Sequence, residues 1–326
     1  MADKAHRQTD RTIDEMERDI DEIYREAEKD MRAKWDKYMA DIAKELEGLE
    51  KEYQAAKDAG NTEEAKKIGR TIGKAKKERT IMDKYYQDMV AELAAGYTNA
   101  RRTAADYVNG RLPDVYALNY NAIGKGIESK VNGYSFNLVD RQTVMDLMTI
   151  DDDLLPRLDV DNAKSNQWNR KVINSQVLQG ILQGESMDKI ADRLQSVTET
   201  TAASAMRNAR TATTAAENRG RLDANSSAEA DGVILEKEWL ATSDDRTRDS
   251  HAAANGQKVP NDEAFEVGGS ALMYPGDPDG APEEVYNCRC TMVTNVVGFR
   301  PLRSAEENEP MPAAENAATA GLSHRR

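Results

Sequence analysis

At 326 residues the chain is longer than one compact core serves, which points to two or three structural units. Hydrophobic residues at 39% against 32% charged describe wide solvated faces, and an aromatic content of 6% leaves the cores to aliphatics, Met and Ala. A formal net charge of -13 disfavours tracking a phosphate backbone, and no stretch nears the roughly 18 consecutive apolar residues of a membrane-spanning helix.

From Ile13 the apolar residues fall at Met16, Ile20, Ile23, Ala27, Met31, Trp35, Tyr38, Ile42, Leu46, Leu49, Tyr53 and Ala56. Every step is three or four, so a long helix is expected, wet on its Asp/Glu/Lys/Arg side. Gly60 ends it, and Asn61 with Glu64 three residues on reads as a capping box for a second helix. So short a connection predicts an antiparallel helical hairpin over residues 10–95, with Gly69 and Gly73 letting the backbones approach. Pairing of the same stripe between chains, as a coiled-coil arm, is the alternative. The basic cluster Lys74 to Arg79 is expected to be a solvated helix face.

Between Tyr97 and Met148 shorter helical pieces are expected, interrupted at Gly110, Pro113, Gly124, Gly126 and Gly133. Tyr116 to Tyr120 reads as core before it reads as a base-stacking platform. The acidic Asp151 to Asp153 fits a helix cap better than a cation loop, because the Gly and terminal Glu of a calcium loop are missing. A helix over Trp168 to Gly184 follows, then one starting at Ser186, then a small-residue helix from Thr200 to Arg221 preceded by Ser196 or Thr198. Arg207, Arg210, Arg219 and Arg221 on that last helix are expected in salt bridges more than on phosphate.

The scarce residue types concentrate between Trp239 and Cys290, which holds one of three histidines, one of three tryptophans and both cysteines. A strand over Val233 to Leu240 should run into a polar turn, Thr242 to Asp245, and a short helix carrying Arg246, Arg248 and His251. Asn255-Gly256 is a turn signal after which Gln257 to Val259 returns as a strand. Cys288 and Cys290 open a β-branched run, Thr291 to Val297, and their i, i+2 spacing aims both sulfurs the same way. Two thiolates and an imidazole suit zinc, with Asp245, Asp277 or water as a fourth ligand. A Cys-His nucleophilic pair, hence a metal- or thiol-dependent hydrolase using His251, Cys288, Cys290 and Asp245, is a second reading. The preferred one is structural: His251, Arg246, Arg248 and Asp245 form a hydrogen-bonded polar core beside buried reduced cysteines, and neither cofactor nor metal is required. A Cys-x-Cys pair does not readily close a disulfide, and with no apolar run in MADKAHRQTD the expected site of assembly is the cytoplasm.

The series Trp239-Leu-Ala-Thr, Asp245-Arg246-Thr-Arg248, His251, Asn255-Gly256, Tyr274-Pro275-Gly-Asp-Pro and Asn287-Cys288-Arg289-Cys290 resembles the signature of phage head morphogenesis proteins, the Mu F-like minor capsid proteins of tailed bacteriophages. DVYALNYNAIGKGIES, SFNLVDRQTVMDLM and AMRNARTATTAAENRGR extend the likeness upstream, so that it covers about Asp114 to Phe299. The resemblance implies a structural protein of the virion, placed near the portal during procapsid assembly in the host cytoplasm, with no established enzymatic activity. The implied partners are the portal protein, the major capsid or scaffolding protein, and packaged DNA; homo-oligomers through the N-terminal helices are an expectation of the apolar stripe alone, and no membrane partner is expected from the lack of a long apolar run. The expected fold is mainly α: a long helical hairpin or arm over 1–96, a helical domain over 97–232, a small α+β domain over 233–299, and a disordered tail over 300–326, which is poor in large apolar residues.

Overall fold

The computed structural model describes residues 3–77, 84–183 and 185–300. The fold is mainly α, with long N-terminal helices, a helical middle and a small C-terminal region with a few strands. Helix α1 (Lys4–Asp58) starts at Asp3, whose carboxylate accepts the His6 amide at 2.8 Å, and stops before Gly60 at φ +71°. Half of the capping box forms: Asn61 Oδ1 accepts the Glu64 amide at 3.3 Å and starts α2 (Thr62–Lys77), while the Asn61 amide donates to the Ala56 carbonyl and not to Glu64.

The hairpin pairs along only part of the stripe. Helices α1 and α2 do pack together, and a Cβ on Gly69 would lie 3.3 Å from the Tyr53 ring, but nothing lies within 4 Å of one on Gly73. The first half of α1 belongs instead to the central bundle of α3 (Lys84–Glu128) and α6 (Met187–Ala230). There Met16, Ile20 and Tyr24 share a core with Ala104, Val108, Leu112, Ala209 and Ala216. Met31, Trp35 and Tyr38 join a second core with Tyr86, Leu93, Ile173, Val177 and Ile190. Past Tyr38 the stripe residues Ile42, Leu46, Leu49, Tyr53 and Ala56 are only half-buried. What draws the first half inward is the apolar face of α3, unbroken from Tyr86 through Val115 and larger than the face α2 offers.

Helix α3 also overrides the breaks expected from its glycines and proline. Pro113 forfeits one backbone hydrogen bond, but Leu112, Val115 and Tyr116 around it are buried and hold the helix through it. Gly124 marks a contact and not a break, since a Cβ there would sit 2.4 Å from the Phe136 ring. Tyr116 is core, its hydroxyl bonded to Asp223 at 2.8 Å and its ring stacked on Tyr120.

Helix α4 (Arg141–Met148) is capped by Asp140, and α5 (Asn162–Leu182) follows a loop in which Asp161, not the 151–153 run, accepts the capping amide, from Lys164 at 2.9 Å. Asp151 turns back to the Asp153 amide instead. Ser186 caps α6 through the Lys189 amide. The break expected at Ser196 or Thr198 is absent, because Thr200, Thr201 and Ser204 direct their hydroxyls to carbonyls four residues back and leave the helix intact. Gly220 lets α6 touch α3, for a Cβ there would lie 2.6 Å from the Tyr116 carbonyl oxygen.

The C-terminal unit packs on α6. Strands β1 (Val233–Leu240), β2 (Lys258–Pro260) and β5 (Thr291–Phe299) form an antiparallel sheet in the order β2-β1-β5, with Trp239 opposite Met292. Between β1 and β5 lie α7 (Asp249–Ala254), the hairpin of β3 (Phe265–Val267) and β4 (Ser270–Leu272), and the short α8 (Pro282–Val285). Val233, Leu235, Lys237 and Trp239 face inward at the period-two spacing of a strand. Lys237 is accommodated because its amine donates to the Met273 carbonyl at 2.7 Å and lies over the Phe265 ring. The Lys74 to Arg79 cluster lies partly, the Gly184 helix stop wholly, and the tail expected over 300–326 almost entirely, outside the described residues.

Candidate functional site

Three inward-facing groups meet where β1, α7 and the start of β5 converge. His251, on the single full turn of α7, places Nδ1 3.3 Å from Cys290 Sγ and 3.7 Å from Cys288 Sγ. All three residues are at most 3% exposed, and both thiols are free. As the i, i+2 spacing predicts, the sulfurs converge. The Cys288 thiol donating toward Cys290 holds the Cys290 thiol down against the rise that burial alone would cause, with His251 adding to the effect. Cys288 is pushed up by its contact with Cys290 and by burial. The indole of Trp239 meets the imidazole edge-on, with ring centroids 5.5 Å apart, and meets the Phe265 ring edge-on at 5.3 Å.

The carboxylate beside this group is one the sequence reading did not single out. Glu284 Oε2 lies 3.0 Å from His251 Nε2, at ion-pairing distance but out of line for a hydrogen bond, and accepts from the Ser250 hydroxyl at 2.7 Å. Gly268 reserves its space, since a Cβ there would fall 2.1 Å from Glu284 Oε1. Asp245, the expected acidic partner, is exposed and outside the group. Its neighbour Asp244 takes the paired role, accepting from Arg289 Nη2 at 2.7 Å and lying far below the usual carboxylate range, chiefly through the Arg289 hydrogen bond.

The other singled-out residues scatter around the group as structural contacts. Arg246 precedes the helix expected to carry it, and its amide donates to Asp244. Arg248 is the residue before α7 and donates to the Tyr286 carbonyl. Gly256, at φ +82°, donates its amide to the Trp239 carbonyl at 2.8 Å. Pro275 is buried in the turn that Asp277 closes on Tyr274. Asn287 takes φ +59° to turn the chain into the cysteine pair.

Sequence reasoning also missed the face of α6 that holds this segment. Arg210 donates to the Asn287 side chain at 2.6 Å, Thr214 to the Cys288 carbonyl at 2.8 Å, and Asn218 to the Cys290 carbonyl at 3.2 Å while accepting the Met292 amide at 3.0 Å. Glu217 accepts from Thr291 and lies against His6 Nδ1, each at 2.8 Å. Arg221, wholly buried, donates to Asp3, Asn119 and the Met292 carbonyl. Asn225 accepts from Thr294. The signal was present as polar residues at three- and four-residue steps along an otherwise alanine-rich helix. Arg210, Arg219 and Arg221 pair with acids as expected, namely Glu17, Asp223, and Asp3 with Glu217.

Residues 171–293, which contain the α6 ladder, the Trp239–His251 contact and both cysteines, match the family described as Phage Mu protein F like protein. Over that stretch the chain is similar to the Mu F-like phage minor head proteins. The Minor head protein GP7 of Bacillus phage SPP1 is 30% identical over 126 residues, 38% of this chain and 40% of that protein. The NAD(+)--arginine ADP-ribosyltransferase EFV of Enterococcus faecalis (strain ATCC 700802 / V583) is 32% identical over 140 residues, 43% of this chain and 28% of that protein. The chain thus spans well under half the length of either curated relative. No solved structure matches it. In this Mu F-like stretch the scarce residues make contacts with one another and with α6.

Proposed function

We propose that the chain is a structural minor head protein of a tailed bacteriophage that docks at or near the portal during procapsid assembly and stays in the virion. The observation that carries this reading is the Mu F-like stretch, shared in part with a minor head protein and built as a unit riveted to one face of α6. Rigid presentation of a surface is what such bracing supplies, because the sheet cannot shift on the bundle without breaking several buried hydrogen bonds at once. The half-buried stripe of α1 from Ile42 to Ala56, covered on one side by α2, suits contact with a capsid or scaffolding protein or with a second copy. A thiol-dependent hydrolase would need its substrate to reach Cys290, which is 3% exposed.

The test is co-purification of the full chain with the tagged portal protein of the same phage. The full chain is required because Met16, Ile20 and Tyr24 complete the bundle core. Retention at a fixed ratio to the portal oligomer is the expected result. Failure to associate at any stage of assembly, together with turnover of a nucleic acid or peptide that His251→Ala abolishes in a folded protein, would replace this reading with the enzymatic one.

A further inference from the structure

We infer that His251 Nδ1, Cys288 Sγ and Cys290 Sγ form a binding site for a single soft divalent metal ion, zinc by preference, with a water at the fourth position. Zn–S and Zn–N bonds in a tetrahedral site set N···S edges of about 3.6 Å. The two observed edges, 3.3 Å and 3.7 Å, straddle that figure with no ion to impose it. Among the described residues this trio is the only group of three or more His, Cys, Asp or Glu side chains whose ligating atoms converge within 4.8 Å.

The surroundings are those of a held ligand set. A metal-bound imidazole characteristically turns its other nitrogen to a carboxylate that fixes ring orientation. Here Nε2 of His251 has no hydrogen bond in line, while the buried carboxylate of Glu284 stands 3.0 Å away, fixed by Ser250 and given room by Gly268. The cysteine carbonyls are gripped by Thr214 and Asn218, so both sulfurs are positioned from the bundle side as well. Charge also balances. Zinc(II) takes both sulfurs as thiolates, any thiol proton still held leaving to solvent, so the ion and its two sulfur ligands are neutral together and Glu284 is the one carboxylate beside them. With no fourth protein ligand in the group, a water completes the tetrahedron. The ion would tie α7 to the segment opening β5, strengthening the same brace, and its presence does not depend on which partner the protein docks.

The test uses the full chain purified under reducing conditions. Metal analysis should find about one zinc per chain, and cobalt(II) added to chelator-stripped protein should give the intense visible bands of tetrahedral coordination with a near-ultraviolet thiolate band. Quenching of Trp239, edge-on to His251, should follow the same titration. Glu284→Gln should keep the spectrum and weaken affinity by about 10- to 100-fold. The Cys288→Ser/Cys290→Ser double variant should lose the thiolate band. Wild-type protein with native circular dichroism that takes up neither ion overturns the inference, and so does a cobalt spectrum that survives in the double variant. The wild-type titration and Glu284→Gln keep it falsifiable should the cysteine variants fail to fold.

Discussion

Replacing Arg221 with Met tests the α6 ladder where it is most concentrated. The guanidinium is wholly buried, donates to both Asp3 carboxylate oxygens at 2.7 and 2.9 Å, to Asn119 Oδ1 at 3.1 Å and to the Met292 carbonyl at 3.2 Å, and lies 3.3 Å from Glu217. Met fills much of the same space but donates nothing. Glu217, 2% exposed, then keeps only His6 and Thr291 to offset its charge, while Asn119 and Met292 each lose a donor. Breaking one side of a buried ion pair costs about 3–5 kcal/mol, a large part of the stability of an ordinary domain. Urea unfolding followed by far-ultraviolet circular dichroism should register that loss. Adding Glu217→Leu to Arg221→Met should cost less than Glu217→Leu alone, with a coupling of about 0.5–3 kcal/mol. A loss below about 1 kcal/mol, or strict additivity, would show that the ladder contributes little and refute the reasoning.

Gly220→Ala separates two opposed effects. Helix propensity alone favours Ala by about 1 kcal/mol, but the new Cβ, 2.6 Å from the Tyr116 carbonyl oxygen, forces α3 and α6 apart at a cost of about 1–3 kcal/mol or more. Urea unfolding should find the variant less stable, and a gain would contradict the close contact. For Lys237, burial pulls the amine down from 10.5 to about 8, so between those values the unfolded chain holds more proton than the folded one. Stability should therefore rise with pH across that window, by up to about 1.4 kcal/mol per pH unit, and Lys237→Met should remove that component of the slope. At His6 burial pulls the imidazole down, but Glu217 outweighs it and the net shift is upward from 6.5. Its stabilising contribution is thus full below 6.5 and lost as pH rises through the raised folded value, a loss that His6→Gln should flatten in denaturation curves collected from pH 5 to 9, roughly the span around an ordinary imidazole. Burial would raise the Asp3 carboxyl, yet its bonds to Arg221 bring it down to about 2, so its contribution is present above 3.8 and lost as pH falls toward 2.

What could be read from the residues was whatever local spacing dictates. The three- and four-residue stripe of α1, the Asn61 and Ser186 caps, the return of the chain after Asn255-Gly256 and the convergence of Cys288 with Cys290 all follow from backbone periodicity and turn chemistry. What escaped was decided at long range. Pro113 and Gly124 look like breaks until the buried faces of α3 and the Phe136 ring are known. Ser196 and Thr198 look like caps until hydroxyls further on are seen bonding back into their own helix. At the site, an acidic partner was expected at Asp245, but the carboxylate near His251 is Glu284, 33 residues further along the chain than the histidine, and no spacing rule links the two. The α6 ladder was legible in principle, since its polar residues recur at helical steps, but its partner strand was not.

The most direct check on a structural role in the head is quantitative mass spectrometry of purified phage particles. The account predicts peptides from residues 171–293 and from the α1 arm in the same particles, at a fixed ratio to the portal protein. Particles of full infectivity that contain none of this chain, with all of it left in the soluble fraction of the lysed host, would contradict the account.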